Sequence, residues 1–335
     1  MSTRKAAVID MGTNTFLLLL VELSDVGFRT LYKEKIPVKL GQGGISQNQL
    51  APDAQKRAFH TLKHFKNLID GEGIDQVFAF ATSAVRNAEN GAEFVQKVKE
   101  DIGIEIHVIS GEEEAQLIYE GINLSGSLNG HVNLMMDIGG GSVEFIIGTS
   151  QEVLWKRSFE IGGQRLLDAF HYHDPILPEE VEKLESYCGE KLQPLLEAIE
   201  KFKPTSLVGA SGTFDTLTDI YFESMLQCKL TGQHVFELPT AEFERIFQML
   251  KTKNREERLK IPGMIAMRVD MIVVASCLIE FILRYVPVEA IVCSHYSLKE
   301  GAVSRLLAGK VAADTLLLSS HDYAQRFFTC FNLLF

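Results

Sequence analysis

Two short segments of the chain carry the same residue types in the same order. Ala7–Phe16 runs an apolar strand into Asp10, then the turn Gly12-Thr13-Asn14-Thr15, then a second apolar strand. Leu134–Val143 repeats the arrangement with Asp137 and the turn Gly139-Gly140-Gly141-Ser142. An Asp at a strand end can reach a hydrated metal ion, and glycines let backbone N–H groups approach a phosphate without side-chain obstruction. Two such hairpins facing each other would clamp phosphates and Mg²⁺. Asp10 and Asp137 would be the anchors, and Thr13, Asn14, Thr15 and Ser142 would add donors.

Setting Asp10 and Asp137 as equivalent positions brings Leu17 opposite Glu144. Only the second copy therefore offers another carboxylate, either toward the cleft or as a solvent-facing strand residue. Ser110-Gly111-Glu112-Glu113-Glu114 opens a helix. Ser110 and Glu113 have capping-box spacing, and Glu112 suits the positive end of the helix dipole. Glu114 has no such job. Helical phase places it with Leu117, Ile118 and Gly121 on the inward face. An inward carboxylate is expected to have a raised pKa, as a general base near neutral pH needs. The alternative is a third exposed acid at the helix start. Arg86, after Thr82-Ser83 at a strand-to-helix turn, can fork onto phosphate or lie on the surface. Ser211-Gly212-Thr213 forms a third phosphate-type turn between a strand and a helix.

These residues need a scaffold, and the totals allow one. The chain has 335 residues, 46% of them hydrophobic, enough for two domains with sizeable cores. A net charge of -11 argues against general binding to nucleic acid or to anionic membranes. A polyanionic substrate would have to meet local basic residues or a cation. The five cysteines are widely spaced with no CxxC pair, as in a reduced, cytoplasmic protein. The N-terminus lacks the shape of a signal peptide. Met271–Leu283 is interrupted by Ser276 and Glu280, so a buried helix is expected there rather than a membrane span. His60 and His64 lie among lysines and arginine on a helix and read as a solvated basic face.

The pattern along the chain predicts strands at 7–10, 16–23, 28–34, 77–81 and 104–109, with helices from Pro52 and after Thr82. A second meander at 132–137, 143–147 and 153–159 is followed by a helix at 164–170. The strand starting at Ser206, another at 290–293 and a helix at 298–307 complete the series. This is a diverged tandem duplication of order β-β-β-α-β-α-β, an α/β fold with mixed sheets. The expected division is residues 1–126 and 127–302, hinged near 125–130, with 303–335 packing back on the first domain.

Six motifs in order carry a resemblance: Asp10–Thr15, Ala81–Arg86, Ser110–Ala115, Asp137–Glu144, Gly209–Thr213 and Leu298–Gly301. Together they resemble the Ppx/GppA phosphatase family, the exopolyphosphatases and guanosine pentaphosphate phosphohydrolases, from about residue 6 to 308. The resemblance implies two ribonuclease-H-like (actin-like ATPase) domains with mixed five-stranded sheets and an active site in the interdomain cleft. It implies Mg²⁺-dependent hydrolysis of the terminal phosphoanhydride of inorganic polyphosphate or of pppGpp, with K⁺ as a further activator. It places the catalytic glutamate at Glu114, the phosphate-binding arginine at Arg86, and the metal carboxylates at Asp137 and Glu144, assisted by Asp10. The chain resembles the short two-domain form, without a C-terminal helical domain. Leu17, Gln116 and Lys299 depart from the family pattern, at positions that often hold His or Arg, Arg, and Arg.

The expected activity is release of terminal orthophosphate from inorganic polyphosphate. The alternatives are a pppGpp 5′-phosphohydrolase of the stringent response, a kinase of the actin, sugar-kinase and Hsp70 superfamily to which the resembled family belongs, and a non-catalytic polyphosphate- or (p)ppGpp-binding regulatory module. The resemblance also makes a homodimer an expectation, with the apolar tail after Gly309 as a candidate surface.

Overall fold

The computed structural model describes residues 4–225 and 232–309. The apolar tail after Gly309, Cys228 and Cys330 lie outside the described residues.

The first half contains β1 (Arg4–Met11), β2 (Phe16–Ser24), β3 (Gly27–Ile36), α1 (Pro52–Gly71), β4 (Gln76–Ala81), α2 (Ser83–Arg86), α3 (Gly91–Ile102), β5 (Ile106–Val108) and α4 (Gly111–Leu124). The second begins with β6 (Asn133–Ile138), β7 (Val143–Gly148), β8 (Val153–Phe159) and α5 (Gly163–Phe170). It continues through α6 (Pro178–Lys191), α7 (Gln193–Phe202), β9 (Ser206–Ala210), α8 (Ser211–Ser224), β10 (Val235–Pro239), α9 (Thr240–Thr252) and α10 (Arg255–Arg258). It ends with α11 (Met271–Leu283), β11 (Ala290–Ser294) and α12 (Leu298–Leu307).

The two sheets follow one plan. The first has the order β3-β2-β1-β4-β5, and the second, read from its meander edge, β8-β7-β6-β9-β11-β10. In each, an antiparallel meander joins two parallel strands through its first strand. The expected duplication is therefore present, with one difference: the second sheet has six strands rather than five. The extra strand, β10, adds antiparallel to β11. Its short run, Val235–Pro239, is half exposed and closes on a proline, so it lacks the continuous apolar signal of a central strand. α3, which follows a break after Arg86, is also absent from the sequence reading.

Local sequence accounts for most elements. β1, β2, β6 and β7 are near-continuous apolar runs because both their faces are covered. Pro52 sits at the start of α1, where a missing N–H costs nothing, and its stripe Ala54, Ala58, Leu62, Phe65 and Ile69 is buried. α11 is buried along nearly its whole length, as expected of the Met271–Leu283 stretch. No described helix is long and apolar enough to cross a membrane.

One helix pair matters for the site. α4 and α12 cross where Gly121 meets Gly301, and a Cβ on either would overlap backbone of the other helix, at Ser297 and Leu117 respectively. Arg305 of α12 donates from Nε to Glu120 of α4 (2.7 Å), and Arg4 donates to Leu306 O (3.0 Å). The end of the described chain thus packs on the first half and pins α4, which carries Glu114.

Candidate active site

The two glycine turns adopt the same local geometry. Gly12 N donates to Thr15 O (3.1 Å), and Gly139 N donates to Ser142 O (3.0 Å). They also touch. A Cβ at Gly140 would press on Thr13 and Asn14, and one at Gly141 would strike Ser83 and Thr13 Oγ1. Glycine at these positions is what lets the hairpins face each other at this distance. The carbonyls of Gly139, Gly140 and Gly141 accept from the N–H groups of Gly163, Gln164 and Gly162 (2.8–3.1 Å), which ties the triple-glycine turn to the start of α5.

Between the turns lies a cavity of about 170 Å³. That is space for roughly ten water-sized groups, enough for a hydrated cation with phosphoryl groups. Gly12, Thr13, Asn14, Thr15, Gly139, Gly140, Gly141, Ser142, Ser211 and Gly212 all line it, as do Asp10, Asp137, Glu144 and Glu114. Thr213 is buried in the first turn of α8 and does not line the cavity. Arg86 does not line it either: its guanidinium is held by Glu114 and Glu160 (2.8 and 3.1 Å).

Strand register sets the carboxylates. Asp137 pairs directly with Glu144, and Asp10 directly with Leu17, so the second hairpin carries two acids where the first carries one. Ser211 and Ser297 both donate to Asp137 Oδ2, and Ser158 donates to Glu144 Oε1 (2.7 Å). Ser211 reaches Asp137 from a backbone at φ +69°, a conformation costly for a residue with a Cβ, at the junction of β9 and α8.

The electrostatics are those of acids removed from water. Burial pushes Glu114 up to about 7, against the opposing pull of Arg86, and raises Asp10 to about 6, opposed by Lys299. Burial also raises Asp137, and it raises Glu144 well above its ordinary value with help from Glu114 and Asp137. Such a cluster keeps its full negative charge only when a cation or positive side chains enter.

Four cationic residues line the same cavity, and none was singled out from sequence as a ligand: Lys33 and Lys35 on β3, Arg268 before α11, and Lys299 on α12. Lys33 is lowered chiefly by Lys299, and Lys35 is lowered to about 8 by burial and by Arg268. Arg268 is 8% exposed, and its Nε is buried with no hydrogen-bond partner among the described residues. The period-two spacing of Lys33 and Lys35 on a strand was a usable signal, since i and i+2 share a face. Asp215 and His295 also line the cavity. Nothing local to Arg268, Asp215 or His295 marks them, because the tertiary fold alone brings them in.

The departures from the family pattern separate in space. Leu17 and Lys299 line the cavity. Gln116 does not: it donates to Glu120 and accepts from Lys156 (3.1 and 2.8 Å) in a network between α4 and β8.

Among the described residues, no three His, Cys, Asp or Glu side chains converge to hold a metal by themselves. Mg²⁺ does not require such a cage. It keeps several waters and takes one or two carboxylates together with substrate phosphates. The all-oxygen donors of Asp137, Glu144 and Asp10 suit that hard ion.

The family model for the Ppx/GppA phosphatases matches residues 19–309. An exopolyphosphatase from Cytophaga hutchinsonii is 44% identical, with a TM-score of 0.89 over 91% of this chain and 98% of that one. The PPX-GPPA enzyme of Aquifex aeolicus is 26% identical, with a TM-score of 0.76 over 90% and 99%. The family match spans most of the chain, and the chain belongs to the Ppx/GppA phosphatase family.

Proposed function

We propose that the protein is a phosphoanhydride hydrolase of exopolyphosphatase type, releasing terminal orthophosphate from inorganic polyphosphate. The observation that carries this reading is Glu114. It is a buried carboxyl raised to about 7, inside a cavity walled by two glycine turns and four cationic side chains. A base near neutral pH beside phosphate-binding turns is suited to activating water rather than to passing a phosphoryl group to a second substrate. The likeness to an exopolyphosphatase points the same way.

In this mechanism Glu114 takes a proton from water, the water oxygen bonds to the terminal phosphorus, and the bridging P–O bond breaks in line. N–H groups of the Gly12 and Gly139–Ser142 turns hold the phosphoryl oxygens, and Lys33, Lys35, Arg268 and Lys299 offset the charge of the remaining chain. Asp137 and Glu144, with Asp10, would hold Mg²⁺, whose chemistry is to neutralise charge developing on the phosphoryl oxygens. Closure about the 125–130 link would exclude bulk water.

The lining favours polyphosphate over pppGpp. It supplies cations for a run of phosphates, and among the described residues the one aromatic ring in it for a base to stack on is His295. The deciding experiment measures phosphate release from long polyphosphate, tripolyphosphate and pppGpp side by side with Mg²⁺ and K⁺, using ATP as control. Release from polyphosphate at a higher kcat/KM than from pppGpp is expected. Release from pppGpp alone, or tight binding with no release, would overturn the assignment.

A further inference from the structure

Both terminal nitrogens of the Arg86 guanidinium are engaged. Its Nη1 donates to Glu114 Oε2 (2.8 Å) and to Ile109 O (3.1 Å), and its Nη2 donates to Glu160 Oε1 (3.1 Å). Glu160 directly follows β8, and its other oxygen accepts from the buried Ser83 Oγ (2.6 Å) and from Arg165 Nη2 (3.4 Å). Asn87 Nδ2 donates to Ser83 Oγ (3.2 Å), leaving the single Ser83 proton for Glu160. The carboxylate of Glu160 thus sits among one hydroxyl donor and two guanidinium groups. Against partial desolvation, hydrogen bonds from Ser83 and Asn87 and the charge of Arg86 hold it below its ordinary value.

The surroundings of this seat place it beside the phosphate turn. Arg165 Nε donates to Gly141 O (3.0 Å), and Ser83 Oγ lies where a Cβ on Gly141 would be. Both halves of the molecule build it, Ser83 and Arg86 from α2 and Arg165 from α5. A carboxylate here presents what a phosphoryl group presents: acceptor oxygens and negative charge for charge-assisted donors. Glu160 can also leave. Its side chain is 41% exposed, whereas the backbone beside it is held by the bond from Gly162 N to Gly141 O (3.1 Å).

We propose that Ser83, Arg86 and Arg165 form a seat for one phosphoryl group, and that Glu160 fills the seat until that group displaces it. The group is either the terminal phosphate of bound polyphosphate or the released orthophosphate. The proposal rests on the phosphohydrolase reading. It explains why an arginine expected on phosphate lies outside the cavity: it is occupied by an internal anion.

The test is calorimetric titration of the full-length protein with inorganic phosphate, which needs no turnover. Removing the occupant raises the fraction of seats open to ligand, so Glu160→Gln is expected to bind phosphate about tenfold more tightly than wild type. Arg165→Gln should bind about tenfold more weakly, with Arg165→Lys partly restoring affinity. The gain from Glu160→Gln should vanish in the Arg165→Gln background, as a shared seat requires. A parallel fall in KM for polyphosphate would place the terminal group there, whereas tighter product inhibition alone would place released phosphate there. Phosphate affinity in Glu160→Gln equal to or weaker than wild type overturns the proposal, as does a gain that survives loss of Arg165. If wild type releases no phosphate from polyphosphate, the hydrolase reading fails, while the calorimetric result still decides the seat.

Discussion

Asp137 and Glu144 stand directly opposite each other across the β6–β7 hairpin, in the register position that Asp10 and Leu17 hold on β1–β2. Directly paired residues share a face with Cβ atoms about 4.5–5.5 Å apart. Two buried acids at that distance repel each other unless a cation lies between them. Glu144→Gln is therefore expected to lower kcat/KM by about 100-fold or more, with a higher Mg²⁺ requirement. The same variant should unfold at a higher temperature in the absence of metal, because it removes a buried like-charge contact. Mg²⁺ titrations of activity and thermal melts in EDTA measure the two effects. Loss of activity without a gain in metal-free stability would contradict the repulsion argument.

Metal-free stability should fall as pH rises. Burial raises Asp10 from 3.8 to about 6 and Glu114 from 4.5 to about 7, and Asp137 and Glu144 move in the same direction. A carboxyl with a raised folded-state pKa contributes its full stability below the unfolded value. It loses that contribution as pH rises through the folded value. The melting temperature in EDTA should drop between about pH 4 and 7, and Mg²⁺ should flatten the drop. A melting temperature that climbs across that window would contradict the shifts.

The pH profile of kcat/KM should report Glu114. With the base raised to about 7, activity should fall about tenfold per pH unit on the acid side. Arg86 pulls Glu114 down, so Arg86→Gln should move the acid limb to higher pH. Glu114→Gln should fold normally and lose about 10²–10⁴-fold in rate. Retention of phosphate release near the wild-type rate in that variant would remove Glu114 from the role of base.

Lys33 and Lys35 place two cations on one face of β3 toward the cavity. The double variant Lys33→Gln/Lys35→Gln is expected to raise KM for long polyphosphate about tenfold, with a shallower dependence on ionic strength. Steady-state kinetics across a salt series check both. An unchanged KM would mean that the chain leaves the cavity along another path.

Gly301→Ala would set a methyl group against Leu117 O, where α12 crosses α4. Separating the helices should cost about 1–3 kcal/mol and disturb both Glu114 and Lys299. Urea midpoints and kcat should fall together.

Much of the site could be read from residue order because its pieces are local devices. A glycine turn after a strand-end Asp, and an inward acid on a capped helix, depend on neighbours a few residues away. Glu114 was legible because its two adjacent acids already had helix-start roles. Arg86 was legible as a residue type but not in its engagement, since its partner Glu160 belongs to the other half of the chain. β10 escaped because an edge strand needs only one apolar face.

By itself, the sequence determined the duplication, the facing turns, the acids and the family resemblance, all carried by short-range pattern. Tertiary structure alone decided that Arg268 reaches the cavity, that Asp10, Asp137 and Glu144 are raised together with Glu114, and that an internal carboxylate holds Arg86. The physical reason is common to all three. Burial and charge–charge distance depend on which distant segments pack together, and Lys35, Arg268 and Glu160 acquire their electrostatic roles only when the two sheets close on one cleft.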